Sequence, residues 1–302
     1  MNQPTNRLRA AVLGTGKIGM DLAERLGKSA VLECALIVGR DETSVGLRRA
    51  AEMGLATAAG GIAAFVESGE HFDVVFDASN AAAHRAHWDA LAATGAVLVD
   101  LTPSSTGTRV VPTVNGEQAV RDSRHFSMIS CGGQTAIPVL AAIAGTCTPG
   151  YVEVVATAAT ASTGRGTWLN IDEYLATTQA AVTELATGPS RVKALLNLSP
   201  ATPEPPFRVQ VTVLAPDADP VAVQDAVAAA ADRVRAYAPG YTVTSCTTAG
   251  GRIDVALEVT AHSSHLPWYA GNLDIINAAA VHIAERCAAT LHLEGATRWT
   301  SQ

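Results

Sequence analysis

The 302-residue sequence has little charge, few cysteines and no long apolar run. Only 16% of its residues are charged and 48% are hydrophobic, which excludes an intrinsically disordered chain or a fibrous repeat. Lys and Arg number 21 against 28 Asp and Glu, and this deficit of positive charge argues against nucleic acid or an anionic membrane as the main partner. The length is enough for two domains of roughly 150 residues each.

Neither export nor membrane insertion is predicted. No stretch of about 18 uninterrupted apolar residues occurs, and residues 1–9 are polar, without the apolar core of a signal peptide. We therefore expect a soluble, cytoplasmic protein. The five cysteines are odd in number, scattered and without CxxC spacing, which predicts neither a disulfide framework nor a zinc site. They are Cys34, Cys131, Cys147, Cys246 and Cys287.

The first third of the chain alternates short apolar runs with helical patterns. Runs at residues 8–13, 31–38, 72–76 and 96–99 are typical of strands, and residues 18–26 have helical spacing. This repetition predicts an α/β fold with a parallel sheet that is covered on both faces.

The second half predicts a different sheet. Strands are expected at residues 151–158, 207–214 and 253–260, helices at 171–185 and 220–237, and the whole forms an antiparallel or mixed sheet with helices on one face. The proline-bearing segment 190–206 is the clearest predicted loop. We place the domain change near Cys131, and we expect the apolar helix from residue 273 to pack back on the first domain.

A glycine-rich loop follows the first predicted strand and opens a helix. It reads Gly14, Thr15, Gly16, Lys17, Ile18 and Gly19. Such a loop allows a tight turn and brings a pyrophosphate close to helix N-terminal N–H groups. A plain glycine turn is the alternative, but the strand-to-helix context favours a dinucleotide site.

The end of the second strand bears on the choice of cofactor. Asp41 follows Gly19 at about the spacing of 20 residues at which an acid binds the adenosine ribose of NAD. Arg40 could hold a 2′-phosphate, so NADP stays open, or it is a solvated charge at a strand end.

Cys131 is the candidate nucleophile. It lies between an apolar run and an apolar helix pattern, so it is expected at a helix N-terminus, which lowers the pKa of a thiol. Gly132 and Gly133 are expected to leave room for a substrate, and backbone N–H groups there could stabilise an oxyanion. A small buried hydrophobe is the alternative, and it is the interpretation for the other four cysteines.

Two further segments carry candidate ligand-binding residues. The first is a glycine-bearing loop in which Asn170 and Glu173 are spaced like a capping box, so it either closes over a cofactor or is a capped turn. In the second segment, Leu266 to Asp274, Asn272 either donates a hydrogen bond to a ligand carbonyl or caps the last helix. The nearby His262 and His265 are interpreted as ordinary loop histidines, with a proton carrier as the alternative. The loop comprises Ser162, Thr163, Gly164, Arg165, Gly166, Thr167, Trp168, Leu169 and Asn170.

Four motifs in one order carry a family resemblance. They are GTGKIG from Gly14, SCGGQTAIP from Ser130, STGRGTWLNIDEY from Ser162 and LPWYAGNLDI from Leu266. The chain thereby resembles the acylating acetaldehyde dehydrogenases of the aromatic meta-cleavage pathways, from about Leu8 to Arg286. The resemblance implies an N-terminal Rossmann NAD-binding domain over residues 1–130, joined by a helix at 273–295, and an α+β catalytic and dimerisation domain over 131–272.

The resemblance also implies roles. Cys131 forms an acyl thioester that CoA releases, with no metal. The loop after the first strand and the one from Ser162 to Asn170 contact NAD, and Asn272 reaches its nicotinamide end. A 4-hydroxy-2-oxovalerate aldolase is the implied partner, in a homodimer or a heterotetramer.

Three features depart from the family pattern. Val209 stands where a carboxylate that assists the cysteine is expected, Ser264 and His265 replace a His-Tyr pair, and Trp168 replaces an arginine. They raise the hypothesis of an aldehyde longer than acetaldehyde.

Two alternative functions remain open. One is a phosphate-dependent semialdehyde dehydrogenase, for which Arg165, Arg191 and Arg208 are the candidate carboxylate-binding arginines. The other is a non-catalytic, cofactor-binding partner of an aldolase.

Overall fold

The computed structural model describes residues 7–188 and 190–299, with side chains except at residues 165, 166 and 291–299. The chain divides into two compact units. Unit 1 comprises Met1–Thr108, Gly116–Ser127 and Ala280–Gln302, and unit 2 comprises Arg109–Asn115 and Met128–Ala279. Residues 1–6, part of the polar N-terminal segment discussed above, lie outside the described residues.

Unit 1 is built on a seven-stranded sheet with the order β3-β2-β1-β4-β5-β7-β6. Its strands are β1 (Leu8–Leu13), β2 (Leu32–Val38), β3 (Thr57–Ala58), β4 (Val74–Asp77), β5 (Val97–Asp100), β6 (Thr108–Arg109) and β7 (His125–Ser127). Its helices are α1 (Lys17–Lys28), α2 (Val45–Glu52), α3 (Gly61–Glu67), α4 (Ala81–Leu91) and α5 (Gly116–Asp122), and a 3-10 turn covers Ala92–Thr94.

The central strands pair in parallel, as the sequence predicts. Residues 10–13 of β1 and all four residues of β4 and of β5 are buried, because helices cover both faces of the sheet and leave no polar side to its strands. The strand order reverses between β1 and β4. In doubly wound sheets the crevice for a ligand opens at the carboxyl ends of the strands at such a point.

Unit 2 is built on a five-stranded mixed sheet with the order β11-β12-β10-β8-β9, in which only β8 and β9 pair in parallel. The strands are β8 (Tyr151–Ala159), β9 (Arg191–Ser199), β10 (Phe207–Leu214), β11 (Tyr241–Ala249) and β12 (Arg252–Val259). The helices are α6 (Cys131–Ala144), α7 (Arg165–Leu169), α8 (Ile171–Val182), α9 (Pro220–Arg235) and α10 (Gly271–Trp299), with a 3-10 turn at Thr160–Ser162 and a π-helical turn at Thr183–Thr187. From Ala280 onward, α10 belongs to unit 1.

The core of unit 2 lies on one face of this sheet. Alternate residues of β8, β10 and β12 are buried there, among them Val154, Val211 and Val255, and they form one apolar cluster with residues of α6 and α9. The alternation of apolar and polar residues along these strands predicts a sheet with helices on one face only. None of the helices in the described part of the chain is long and apolar enough to cross a membrane.

Two edge strands of unit 2 were not predicted. Residues 190–206 were expected to be a loop, but β9 occupies Arg191–Ser199, and only the prolines at 200, 203, 205 and 206 lie in the connection to β10. β11, at the opposite edge, was missed as well. Both strands are only partly buried and carry polar residues between their apolar ones, so their hydrophobic signal is weak. Cys246, interpreted above as a small buried hydrophobe, lies inside β11 and is half-buried.

Candidate active site

Cys131 is the first residue of α6. Ser130 is the N-cap, and its hydroxyl accepts the backbone N–H of Gly133 at 2.9 Å. Ile129, the residue before the cap, has a φ of 66° although it is β-branched and buried. The side chain of Gln134 donates to the carbonyls of Met128 and Val110 at 3.0 and 2.8 Å, which ties the start of the helix to the chain that enters it.

The thiol of Cys131 lies beside a phenol. Its Sγ is 3.7 Å from Oη of Tyr174 on α8, and the same Oη accepts the N–H of Gly132 at 3.1 Å. The sequence analysis missed Tyr174, because 43 residues separate it from Cys131 and only the fold joins them. The tyrosine is buried, with 7% of its surface exposed.

The expected lowering of the Cys131 pKa is wrong. Burial raises the pKa of this thiol to about 11, although hydrogen bonds from Tyr174 and from the N–H groups of Gly132 and Cys131 act in the opposite direction. Removal from water disfavours the charged thiolate more than the helix N-terminus favours it.

The two glycines after Cys131 do not leave room for a substrate. A Cβ at Gly132 would lie 2.4 Å from Tyr174 Oη, and one at Gly133 would lie 2.9 Å from Cγ2 of Ile129. Both positions need glycine because the protein's own side chains fill the space. The N–H groups of these glycines, candidates for an oxyanion site, are taken by Tyr174 and Ser130.

The predicted dinucleotide loop lies in unit 1 between β1 and α1. Gly14 has a φ of 117°, and a Cβ there would lie 2.5 Å from the carbonyl oxygen of Ala78. A Cβ at Gly19 would lie 2.0 Å from the carbonyl oxygen of Gly14. Gly16, the N-cap of α1, has no heavy atom of the described residues within 4 Å of such a Cβ. Two glycines close the turn, and the third keeps the helix N-terminus open to an anion.

The neighbouring candidates of unit 1 lie in the same region. Lys17 and Ile18 are the first residues of α1, and the hydroxyl of Thr15 lies 2.9 Å from that of Ser44, the N-cap of α2. Asp41 is exposed just after β2, where its Oδ1 accepts the backbone N–H and the hydroxyl of Thr43, both at 2.8 Å. These hydrogen bonds lower the pKa of Asp41, so the carboxylate is charged at neutral pH.

The second glycine-bearing loop lies in unit 2. Its first residues, Ser162 to Gly164, precede α7, where the Ser162 hydroxyl donates to the carbonyl of Ala159 at 2.8 Å. Trp168 is 53% exposed, and residues 165 and 166 are described by their backbone alone. Asn170 stands at the N-cap of α8, but its side chain makes no capping hydrogen bond, so the predicted capping box is wrong.

Asn272 lies in the first turn of α10 in unit 2, where it is buried. Among the described residues its Oδ1 has no hydrogen-bond partner. The preceding loop is instead held by Asp274, whose Oδ1 accepts the backbone N–H of His262 at 3.0 Å and of Ser263 at 3.2 Å. The amide oxygen of Asn272 thus remains available to a ligand, because a buried acceptor without a partner is unfavourable.

A buried cluster of histidines and aspartates in unit 1 was also missed. Asp77 and Asp100 end β4 and β5, and α4 places Nδ1 of His84 at 2.8 Å and Nδ1 of His87 at 2.7 Å from Asp77 Oδ2. The other ring nitrogen of His84 lies 2.8 Å from Nε2 of His125. One ligand atom each from Asp77, His84 and Asp100 lies within 4.8 Å of the others, as in a metal site, although no metal site was predicted. Direct hydrogen bonds between the side chains account for the short contacts made by Asp77 and His84.

Opposite pKa shifts in this cluster predict a dependence of stability on pH. Burial and the neighbouring His84 lower the pKa of His125 from 6.5 to about 4. Between these values the unfolded chain binds a proton that the folded chain does not, so the contribution of His125 to stability is lost as pH falls. Burial and the charge of Asp77 raise the pKa of Asp100 to about 7, which acts in the opposite direction.

The difference in unfolding free energy between the wild type and His125→Gln isolates the first contribution. We expect the unfolding free energy of the wild type, relative to that of His125→Gln, to fall by about 3 kcal/mol as the pH falls from 6.5 to about 4. Urea unfolding at a series of pH values measures this difference. A pH-independent difference for His125→Gln would contradict the prediction.

Comparisons with known proteins bear out the family that the four motifs predict. Residues 131–267 match the family described as prokaryotic acetaldehyde dehydrogenase, dimerisation, and residues 9–121 match the semialdehyde dehydrogenase NAD binding domain. An acetaldehyde dehydrogenase of Streptomyces griseus is 50% identical over 279 residues, which are 92% of this chain and 90% of that protein. One of Geobacillus stearothermophilus is 40% identical over 288 residues, 94% and 97% of the two chains.

The crystal structure of aspartate semialdehyde dehydrogenase II of Vibrio cholerae shares the fold, with a TM-score of 0.65 at 16% identity over 92% of this chain and 97% of that one. The two matched regions correspond to the parallel sheet and to the mixed sheet described above. On this fold, and on 50% identity over nearly its whole length, the chain belongs to the prokaryotic acetaldehyde dehydrogenase family.

Proposed function

We propose that this chain converts a short-chain aldehyde, CoA and NAD+ to acyl-CoA and NADH through a thioester on Cys131. One observation carries the proposal. Cys131 lies at the first turn of a helix, with its thiol in contact with a phenol, whereas Cys34 and Cys287 lie inside a strand and a helix. The family relation supports the same reaction class.

The chemistry follows from the position of Sγ. The Cys131 thiolate attacks the aldehyde carbon, the C=O π electrons move to oxygen, and the new C–S bond gives a thiohemiacetal oxyanion. A bound NAD+ supplies the hydride acceptor for this carbon. Loss of the hydride leaves a thioester on Sγ, which the CoA thiolate attacks, so that the C–S bond breaks and the Cys131 thiolate is restored. One difficult oxidation becomes two easier steps.

Residues of unit 1 support cofactor binding. In unit 1 the open position at Gly16 and the N-terminus of α1 suit a pyrophosphate, with Gly14, Thr15, Lys17, Ile18 and Gly19 around it. The ionised Asp41 favours NAD, since a carboxylate there repels the 2′-phosphate of NADP, although Arg40 keeps NADP as the alternative. In unit 2 we assign the loop from Ser162 to Asn170 to NAD as well.

Asn272 is assigned to the nicotinamide end of NAD. Its buried Oδ1, unpartnered among the described residues, suits the N–H donors of a carboxamide.

The aldehyde is proposed to be longer than acetaldehyde. Val209, where the family pattern has a carboxylate, is 1% exposed on the inner face of β10, and it pairs with Ala156. That residue in turn borders Gly132, since a Cβ there would lie 3.4 Å from the methyl of Ala156. The hypothesis rests on this loss of a charged group and on the exposed Trp168, which stands where the family pattern has an arginine.

An NADH-formation assay tests the function. With acetaldehyde and with propionaldehyde we expect turnover only when CoA is present, and higher kcat/KM for the longer substrate. Turnover that depends on phosphate would assign the chain to the semialdehyde dehydrogenase class, whose fold it shares. No turnover in any mixture would favour a cofactor-binding partner of an aldolase.

We also propose a homodimer, or a heterotetramer with a 4-hydroxy-2-oxovalerate aldolase that supplies the aldehyde. The match of residues 131–267 to a dimerisation domain supports the homodimer. The aldolase follows from the resemblance to enzymes of aromatic catabolism.

A further inference from the structure

Tyr174 connects two helices at the proposed nucleophile. It lies in the first turns of α8 and is buried, and its hydroxyl reaches the first turn of α6. Oη accepts the N–H of Gly132 at 3.1 Å and lies 3.7 Å from Cys131 Sγ. The phenol proton can therefore turn to the sulfur, because the acceptor side of the oxygen is already occupied.

A chain of hydroxyl groups holds the phenol in this place. The Thr178 hydroxyl donates to the carbonyl of Tyr174 at 2.6 Å, and it lies 2.7 Å from Ser130 Oγ. Since the Thr178 proton is used, Thr178 can only accept from the Ser130 hydroxyl, which also accepts the N–H of Gly133 at 2.9 Å and hydrogen-bonds with the hydroxyl of Tyr174. The backbone of Tyr174 is thereby tied to the N-cap of the helix that carries Cys131.

We propose that Tyr174 is a positioning residue that donates a hydrogen bond to the Cys131 thiolate and holds it at the start of α6. This inference rests on the proposed role of Cys131 as nucleophile. In the resting thiol the S–H donates to Oη. When the sulfur loses its proton to a base in solution, the phenol O–H rotates and donates to the negative sulfur, so no proton leaves the tyrosine.

Burial of the sulfur makes the stability of the Cys131 thiolate depend on this hydrogen bond. Burial raises the pKa of Cys131 to about 11, and the Tyr174 hydroxyl gives the largest of the contributions that lower it, before the backbone N–H groups of Gly132 and Cys131. A buried thiolate depends on the few donors that reach it.

The pH dependence of alkylation tests the proposal without cofactor or substrate. Iodoacetamide reacts with the thiolate, whose sulfur bonds to carbon as iodide leaves, and the rate at Cys131 is followed on its own peptide by mass spectrometry. In Tyr174→Phe we expect a rate constant about tenfold lower at each pH below the thiol pKa, because a hydrogen bond to a charged group shifts a pKa by about one unit or more. Coincident profiles for this variant and the wild type would overturn the proposal, as would a faster reaction.

Tyr241→Phe is the matched control. Tyr241 is a buried tyrosine of the same unit whose hydroxyl donates to the carbonyl of Thr135, also on α6, at 2.8 Å. Its loss removes a buried hydrogen bond to the same helix but not the contact with sulfur, so the alkylation profile should stay that of the wild type. Melting curves for both variants report any general loosening.

A second substitution covers the case in which Tyr174→Phe does not fold. Site-specific 3-fluorotyrosine at position 174 keeps the shape of the ring and makes its O–H a stronger donor, so alkylation should become faster, and an unchanged rate would contradict the proposal. Because the readout needs neither CoA nor NAD, it is separate from the test of the overall reaction. A shifted profile in a chain without CoA-dependent turnover would support the hydrogen bond and refute the proposed function.

Discussion

Cys131→Ala is expected to lower CoA-dependent NADH formation by at least about a thousandfold, because the covalent route has no other nucleophile to replace the sulfur. The residual rate should no longer depend on CoA. The folded structure should persist, since the thiol is at the start of α6 and an alanine fits there without a new contact. The measurement is steady-state kinetics with saturating aldehyde, accompanied by a thermal melt.

Cys147→Ala provides the control. Cys147 is a free, half-buried cysteine just beyond the opposite end of the same helix, and its thiol lies 3.4 Å from the carbonyl of Ile143. Cys147→Ala should leave kcat within about twofold of the wild type, because the residue lies at the end of α6 opposite the proposed nucleophile. Equal activity of the Cys131 variant and the wild type would refute the thioester mechanism.

Gly132→Ala is expected to destabilise unit 2 by about 1 to 3 kcal/mol and to displace the thiol, because overfilling a packed site forces its neighbours to move. The new methyl would lie 2.4 Å from Tyr174 Oη. In the double variant with Tyr174→Phe this oxygen is gone, and the nearest remaining atoms lie at 3.4 Å. The double variant should therefore recover most of the lost stability, which a double-mutant cycle by urea unfolding measures.

Gly27→Ala shows what the same change does where nothing obstructs it. Gly27 is in α1, and no described heavy atom lies within 4 Å of a Cβ there. This variant should be more stable by up to about 1 kcal/mol, since alanine is the better helix former. If Gly132→Ala behaved in the same way, the contact between the phenol and the start of α6 would be refuted.

Local patterns predicted much of the fold. The spacing of apolar residues gives β1 and β10 with their observed ends, and the glycines at 14 and 19 lie where the turn requires them. The edge strands β9 and β11 were not predicted because they are only partly buried and are polar along much of their length. Periodicity detects burial, and these strands have little of it.

The site itself was predicted less completely, and for a different reason. Cys131 stands out through its neighbours in sequence, but Tyr174 joins it from 43 residues away, and His125 joins His84 from 41 residues away. Such pairs depend on the packing of whole elements, which no local pattern contains. The same limit explains the error in the Cys131 pKa, since the helix N-terminus is visible in the sequence and the extent of burial is not.

The left-handed backbone of Ile129 makes the position of the Cys131 thiol depend on the packing of the unit 2 core. A β-branched residue at a φ of 66° costs on the order of 1–3 kcal/mol and persists only while its surroundings enforce it. Ile129 belongs to the same apolar cluster as Val211 and Val255. If that cluster loosens, the strained backbone directly before the N-cap of α6 is no longer enforced, and the position of Cys131 is no longer fixed. Substitutions in this interior cluster are therefore expected to lower the activity of Cys131 as well as the stability of unit 2.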